Sequence, residues 1–334
     1  LKPMIEQVVK DATGRELTIA GNIEFEIGLR PTLIVEDVSF QNSSWSSTPH
    51  LARVKKLEAQ IALLPMIIGK YDFARLVLIE PTVIVEFDRA GTSNFSFDTV
   101  SEEQADTEIP PPPLIFSDLL IEKGQFAYRD AQSGFTFTVR IDRLAADIPG
   151  FDESLQAKFV GAFDDIPLTL DGSVGPIWAW VEPGYELPVD VTIAAGGATA
   201  RVKGDMRDPT HFKDLAFTVT ADGDSTAALA RLAGVTGIPE WGGFKLRARV
   251  TDPETHVFSI DSLGIALGTN EFSCLLKLNL AEEVPFVSAD LSSQQFKFGP
   301  AVLNLHITDP IKKPAIKKLD LKFGTEEVAR VHLN

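Results

Sequence analysis

The chain has 334 residues, which is enough for one large core or for two domains. It carries 31 Lys and Arg against 47 Asp and Glu, and this net charge of -16 argues against binding to nucleic acid or, through a basic patch, to an anionic membrane. Its 22 Phe outnumber four Trp and three Tyr, and a ring without a polar group suits a surface that stays dry.

The first segment predicts a short amphipathic helix that Gly14 ends. The apolar residues of one helical face are Met4, Ile5, Val8, Val9 and Ala12. Two interpretations of this face remain open: it packs into a core, or it lies next to a membrane. The strongest apolar run, residues 61–68, contains a proline and is too short to span a membrane. Because the chain starts without Met, a signal or anchor segment is expected upstream.

After Gly14 the hydrophobic period changes to two, which predicts β-strands with one apolar and one polar face. A phase shift is expected near Glu36 and Asp37, as a bulge would produce, and an edge or a break at Pro81. The clearest alternation is GFTFTVRID at 134–142. The same alternation along the chain predicts the inward apolar residues Ile19, Ile23, Phe25, Ile27, Leu57, Ile61, Leu63, Val83, Val85, Phe135, Phe137, Val139, Ile141, Phe217, Val219, Leu246, Val250, Cys274, Leu276 and Leu278.

Residues 98–113, DTVSEEQADTEIPPPP, combine acidic residues with four consecutive prolines, a composition that suits no packed element. We interpret them as a linker between a block of helix and strands at 1–97 and further β repeats at 114–334. Within the second block, a cap at Asp224 or Ser225 predicts a short helix near 224–233.

The whole pattern predicts a mostly β protein of about twenty short strands with a short N-terminal amphipathic helix and one or two further short helices. In a sandwich, a second sheet would cover each apolar face, but a meander of this length would normally split into separate domains. The other solution is a long antiparallel sheet that curls along its length and leaves an apolar groove on its concave face.

Residue types that carry catalysis do not form a recognisable motif. No two of the five His lie within five positions of each other, so the sequence has no local His metal site. DGSVG at 171–175 lacks the first glycine of a nucleophile elbow, and DGDST at 222–226 lacks the other ligands of a cation loop. Asp164 and Asp165 are adjacent and would point to opposite faces of a strand. The single cysteine, Cys274, fits a buried strand residue better than a reactive thiol. We therefore expect no enzyme, no cofactor and no bound metal.

Four features stand out at set positions in the N-terminal third: the helix running into ATGRELTIAGNIEF, Asn42–Trp45, Pro65 with Gly69, and the Asn94–Phe95 pair. In these features the segment resembles the AsmA family, which more often has Trp where this chain has Phe95. Similarity to AsmA-type repeats continues to about residue 300, and residues 305–334 do not align.

The resemblance implies an anchor in the bacterial inner membrane through an N-terminal helix, here upstream of the chain, and a body in the periplasm. It also implies membership of the bridge-like lipid-transfer proteins, which carry phospholipids along a groove of a long curled sheet. The inward residues named above would line that groove. The implied partners are phospholipids, the inner membrane and outer-membrane or other envelope proteins.

Two alternatives remain open. One is a scaffold that assists the assembly of outer-membrane proteins and uses the sheet edges rather than the apolar face. The other is a carbohydrate-active or hydrolytic β protein.

Overall fold

The computed structural model describes residues 2–28, 30–61, 72–97, 115–148, 152–176, 179, 185–209, 213–226, 235–236, 242–254, 257–267, 270–279, 286–295, 306–307 and 329–333. In these residues the chain is mostly β with one helix, which confirms the predicted class. The helix is α1, Lys2–Thr13. The strands are β1 Leu17–Ile19, β2 Ile23–Glu26, β3 Thr32–Gln41, β4 His50–Ile61, β5 Asp72–Ile79, β6 Thr82–Phe87, β7 Ile115–Asp130, β8 Thr136–Asp147, β9 Ser154–Phe163, β10 Ile166–Pro176, β11 Leu187–Ala195, β12 Ala198–Asp208, β13 Lys213–Gly223, β14 Val235–Thr236, β15 Phe244–Glu254, β16 Val257–Leu267, β17 Asn270–Asn279, β18 Phe286–Gln295, β19 His306–Ile307 and β20 Ala329–Leu333.

The chain forms two compact units, one of residues 1–150 and 157–167 and the other of residues 151–156 and 168–334. The predicted linker at 98–113 lies outside the described residues, and so does the predicted helix near 224–233 except for its first three residues. The strands on the two sides of the linker pair with each other inside the first unit.

The helix α1 ends as the sequence predicts. Gly14 has φ 69° and donates its N–H to the carbonyl of Lys10 at 2.8 Å. No residue of α1 is buried, and Met4 is 61% exposed, so its apolar face is not part of a core. The helix instead lies beside β1, where a Glu6 carboxylate oxygen accepts the N–H of Ile19 at 2.9 Å. This bond satisfies a backbone group at a strand edge.

In the first unit, β1 and β2 pair with β3, β3 with β4, β4 with β5 and β6, and β7 with β8, all antiparallel. The exception is β7, which pairs in parallel with both β5 and β6. The sheet is therefore mixed and not wholly antiparallel. Parallel neighbours need a long crossover connection, and the acidic and proline-rich stretch is part of the connection between β6 and β7.

Three residues with left-handed backbone lie in or at the ends of strands of the first unit. Asp37 in β3, Glu80 between β5 and β6, and Lys123 in β7 have φ of 50°, 51° and 55°. The register places them at the same level, because the pairs Glu36 with Lys56, Lys56 with Ile79 and Ile79 with Glu122 adjoin them. The apolar phase of these strands changes at this level. The predicted phase shift near Asp37 and the predicted break at Pro81 are both confirmed.

The second unit is an antiparallel meander in which β10, β11, β12, β13, β15, β16, β17, β18 and β20 pair in that order. β14 and β19 form a separate two-stranded pair. The buried residues Ala179, Leu187, Met206 and Leu215 form a compact cluster, here called the closed cluster. Val174, Phe217, Val250 and Phe258 pack against it.

Candidate apolar binding face

In the second unit, the strand register sorts the side chains into an apolar face and a polar face, because directly opposed residues in a sheet share a face. The Leu246 row of the apolar face contains Leu170, Ile193, Ala200, Ala221, Leu246 and Ile265. The Val219 row contains Gly172, Val191, Val202, Val219 and Ala248. The Phe217 row contains Val174, Val189, Gly204, Phe217, Val250, Ile260 and Leu276.

The intervening residues of the same strands form polar rows. One of them contains Asp171, Thr192, Arg201, Thr220 and Arg247, and the next contains Ser173, Asp190, Lys203, Thr218 and Arg249. Arg201 binds Asp190 through two bonds of 2.7 Å, and these bonds lower the pKa of the Asp190 carboxyl to about 2. This face is thus charged and internally paired, as a solvated face should be.

The apolar rows differ from an ordinary core in their exposure. The residues of the Leu246 row are all half-buried, and those of the Val219 row are half-buried except for Ala248, which is buried. Among the described residues, this face is buried at its two sides, at Ala198 and Phe244 beside the Leu246 row and where the Phe217 row packs against the closed cluster. The Leu246 and Val219 rows, which lie between these two regions, keep apolar surface accessible.

The first unit also has apolar rows, in which Val35, Ala59 and Ala146 are buried. The Phe40 row contains Leu17, Phe40, Ala52, Val83, Phe126 and Val139. On the other side of the left-handed residues, two further rows cross the sheet. They contain Ile23, Val35, Leu57, Leu78, Ile121 and Leu144, and Phe25, Leu33, Ala59, Leu76, Leu119 and Ala146.

Aromatic rings gather at one part of this face around Phe137 in β8. The ring of Phe137 stacks on Tyr128 of β7 at 5.2 Å and on Phe163 of β9 at 5.3 Å between centroids. Phe126 and Phe135 lie 5.9 and 5.7 Å from it. Phe137 is only half-buried at the centre of these contacts, so the cluster presents rings to the outside.

The residues predicted as inward-facing occupy several environments. Those that are half-buried are Ile23, Leu57, Val83, Val85, Phe135, Phe137, Val139, Ile141, Phe217, Val219, Leu246, Val250 and Leu276. Ile19 and Cys274 are buried, which confirms the interpretation of Cys274 as a buried strand residue. Phe25 is exposed, and Ile27 lies beyond the end of β2 with 89% of its surface exposed. Ile61 and Leu278 lie in β4 and β17, with side chains outside the described part, and Leu63 lies outside it altogether.

A buried polar network in the first unit was not anticipated by the alternation. Its centre is Asn94, which is fully buried. The Asn94 side-chain oxygen accepts the N–H of Glu86 at 2.9 Å, and its amide nitrogen donates to the Asn42 side-chain oxygen at 3.0 Å and to the Ile84 carbonyl at 2.9 Å. Both the side-chain oxygen and the amide nitrogen of Asn94 are therefore hydrogen-bonded.

The Glu86 carboxylate completes this network. One of its oxygens accepts from Asn42 at 3.2 Å and from the hydroxyls of Ser46 and Thr48, and the other accepts from Arg129 at 3.4 Å. A buried carboxylate is stabilised only by such partners. Asn42 and Asn94 are residues that carry the family resemblance, and that is the one signal in the sequence that points to them.

In the described ranges, His, Cys, Asp and Glu form no group of three or more that could hold a metal ion. No helix in the same ranges is long and apolar enough to cross a membrane.

These features define a class of β protein in which the paired strands of each unit carry an apolar face that is left partly accessible. The AsmA family model matches residues 1–170, about half of the chain, and the chain belongs to the AsmA family. Proteins of this family are membrane-associated proteins of the cell envelope.

A curated relative is AsmA family protein YhjG of Escherichia coli (strain K12), which is 22% identical over 339 aligned residues. The alignment covers 90% of this chain and 49% of the relative, so the chain spans about half the length of that protein. No solved structure gave a significant match.

Proposed function

We propose that the protein is a non-enzymatic carrier of phospholipid acyl chains, which lie on its apolar face during transfer between the inner and outer membranes. In this proposal the protein works in the periplasm and is held at the inner membrane through a segment upstream of the chain. Envelope proteins at the outer membrane are its further partners. Membership of the AsmA family supports a role in the cell envelope. The further step of this proposal is that the protein carries phospholipid.

The observation that supports this cargo most strongly is the half-buried state of the Leu246 and Val219 rows. Apolar surface of this extent is normally buried against other protein in a soluble domain. Acyl chains would bury it without any protein layer. The opposite face, with pairs such as Arg201 and Asp190, stays in water.

The energetics of lipid transfer favour such a surface. Pulling a two-tailed phospholipid into water exposes on the order of thirty methylenes, or some 20 kcal/mol at ~0.8 kcal/mol each. An apolar strip that contacts the tails throughout the path removes most of this barrier. Such a strip needs no catalytic residue and no cofactor. The net charge of -16 does not oppose tail binding, because headgroups remain in solvent.

Mass spectrometry of lipids extracted from the purified protein tests the proposal. We expect phospholipids in a fixed ratio to protein, a strong loss of them in Phe137→Asp, and little change in Thr136→Asp. Phe137 is the centre of the aromatic cluster, whereas Thr136 is exposed on the opposite face and pairs with Arg129.

Protein that is folded and free of phospholipid after purification from cells would contradict the proposal. An equal lipid load in Phe137→Asp and Thr136→Asp would also contradict it. Outer-membrane proteins recovered in place of lipid would favour an assembly scaffold.

A further inference from the structure

We infer that Arg15 holds a short strap, residues 94–97, over one end of the Phe40 row and so limits how far acyl chains extend along the first unit. This inference rests on the proposed function. The segment is called the strap below.

The strap is anchored at its first residue. Asn94 is fully buried in the polar network, and its N–H donates to the carbonyl of Glu86 at 2.8 Å. The preceding residue, Ser93, forms an isolated β-bridge with Phe87. The strap therefore leaves β6 from a fixed point.

Arg15 holds the rest of the strap from the junction between α1 and β1. One terminal nitrogen of its guanidinium donates to the carbonyl of Asn94, and the other donates to the carbonyl of Ser96 at 2.6 Å and to the hydroxyl of Ser43 at 2.9 Å. The guanidinium carbon lies 4.8 Å from the centre of the Phe97 ring. A planar fork that binds two carbonyls while stacking on a ring is a geometry that Arg provides and Lys does not.

The strap covers apolar surface that the Phe40 row would otherwise expose. The Phe97 ring lies 5.9 Å from the ring of Phe40, and Phe95 lies 6.4 Å from Phe97. Phe40 stands opposite Leu17 and Ala52 in the sheet, so Phe97 sits at the β1 end of this row. An acyl chain on the row would need the surface that the Phe97 ring occupies.

The second end of the strap depends on Arg15 more than its first end does. Asn94 keeps its bonds to Glu86, Asn42 and Ile84 in the absence of Arg15. The hydrogen bond from Arg15 to Ser96 and the stacking of Arg15 on Phe97 are lost together. Loss of the guanidinium should therefore free the Phe97 ring while β6 and the polar network stay in place.

Photocrosslinking measures this coverage directly. Benzoylphenylalanine is introduced in place of Phe40, and separately in place of Phe137 as a reference on the same unit, in protein carrying its cellular phospholipids. The yield of lipid adduct is then compared between the native background, Arg15→Ala, Arg15→Lys and the control Arg53→Ala. Arg53 lies exposed in β4, one residue from Ala52 and on the opposite face.

We expect adducts at position 40 to rise about tenfold in Arg15→Ala and Arg15→Lys, because one charge-assisted hydrogen bond shifts an equilibrium by at least that factor. Arg53→Ala should leave them unchanged, and position 137 should report the same yield in all four backgrounds. Phe97→Ala should raise the yield at position 40 as Arg15→Ala does, and it serves as the second variant if Arg15→Ala does not fold.

The possible failures are distinguishable. Equal adduct yields at position 40 in all backgrounds, with strong adducts at position 137, would contradict the proposed role of Arg15 and the strap. The proposed carrier function would not be affected by that result. No lipid adduct at either position in any background would overturn the proposed function and the strap with it.

Discussion

The closed cluster and the apolar rows beside it are built from the same alternating pattern, yet they are different environments. Leu187 and Met206 are buried with Ala179, which comes from the connection between β10 and β11. Val219 and Leu246 have similar side chains on equally regular strands and remain half-buried. The difference shows that alternation decides which face is apolar, whereas a covering segment decides whether that face becomes a core or stays accessible.

The largest expected effect is that of a charge in the closed cluster. Leu187→Asp should lower the free energy of unfolding by about 3–5 kcal/mol, because the carboxylate would be buried without a partner. Urea denaturation followed by circular dichroism measures this loss. Thr218→Asp, an exposed change between Lys203 and Arg249, is the matched control and should be near neutral. A native-like midpoint for Leu187→Asp would show that the cluster is not closed.

Asn94→Ala should cause the next largest loss in the free energy of unfolding. Asn94 represents a third environment, which is buried and polar. The change leaves the Glu86 N–H and the Ile84 carbonyl without their side-chain partner, so we expect a loss of about 2–3 kcal/mol. The same denaturation experiment measures it, with Thr92→Ala on the exposed turn as control. If both variants unfold at the same urea concentration, the network contributes little to stability.

Lys123→Gly should change stability in the opposite direction. Lys123 is exposed with φ 55°, a conformation that costs an L-residue roughly 1–2 kcal/mol, so glycine should stabilise the fold by up to about 1 kcal/mol. Lys55→Gly, at an exposed position in β4 without a left-handed φ, should instead destabilise it by about 0.5–1 kcal/mol. If both variants melt above the native protein, or both melt below it, the backbone strain at Lys123 is contradicted. Neither change touches an apolar row, so the lipid load should stay the same.

The smallest expected effect belongs to the polar face. Arg201 lowers the pKa of Asp190 from an ordinary 3.8 to about 2, so this pair stabilises the fold above about pH 4 and loses that contribution as the pH falls towards 2. Because Arg201 is exposed and Asp190 is partly exposed, water screens the pair and the loss should be small. Melting temperatures of the native protein and of Asp190→Asn, compared from pH 5 to pH 2, should converge at the acid end. If the difference in melting temperature between the two proteins instead grows as the pH falls, the stabilising role of this ion pair is contradicted.

Much of the local structure follows from the sequence, because its causes are local. The helix end at Gly14, the phase shift at Asp37 and the break at Pro81 each depend on one residue and its neighbours. The alternation of β13 and β15 places Val219 and Leu246 on one face for the same reason.

Features that depend on distant residues could not be predicted in this way. The stretch at 98–113 has the composition of a linker, but its composition does not show that β7, which follows it, pairs in parallel with β5 and β6, which precede it. The polar network joins Asn42, Glu86 and Asn94, whose sequence separations of 44 and 8 follow no strand or helix period. The cover on Leu187 and the strap on Phe40 depend likewise on segments from elsewhere in the chain.

The most direct test of the central claim, that the half-buried rows are a lipid-binding face, is a paired measurement on two adjacent residues of β13. Val219 lies in an apolar row and Thr220 is exposed on the opposite face, so Val219→Asp and Thr220→Asp place the same carboxylate on the two sides of one strand. Each variant is melted and its bound phospholipid is counted per protein. We predict that both fold, because the carboxylate of Val219→Asp can stay hydrated once lipid leaves, and that only Val219→Asp loses its lipid. Unfolding of Val219→Asp to the extent of Leu187→Asp, or a full lipid load in the folded variant, would contradict the claim.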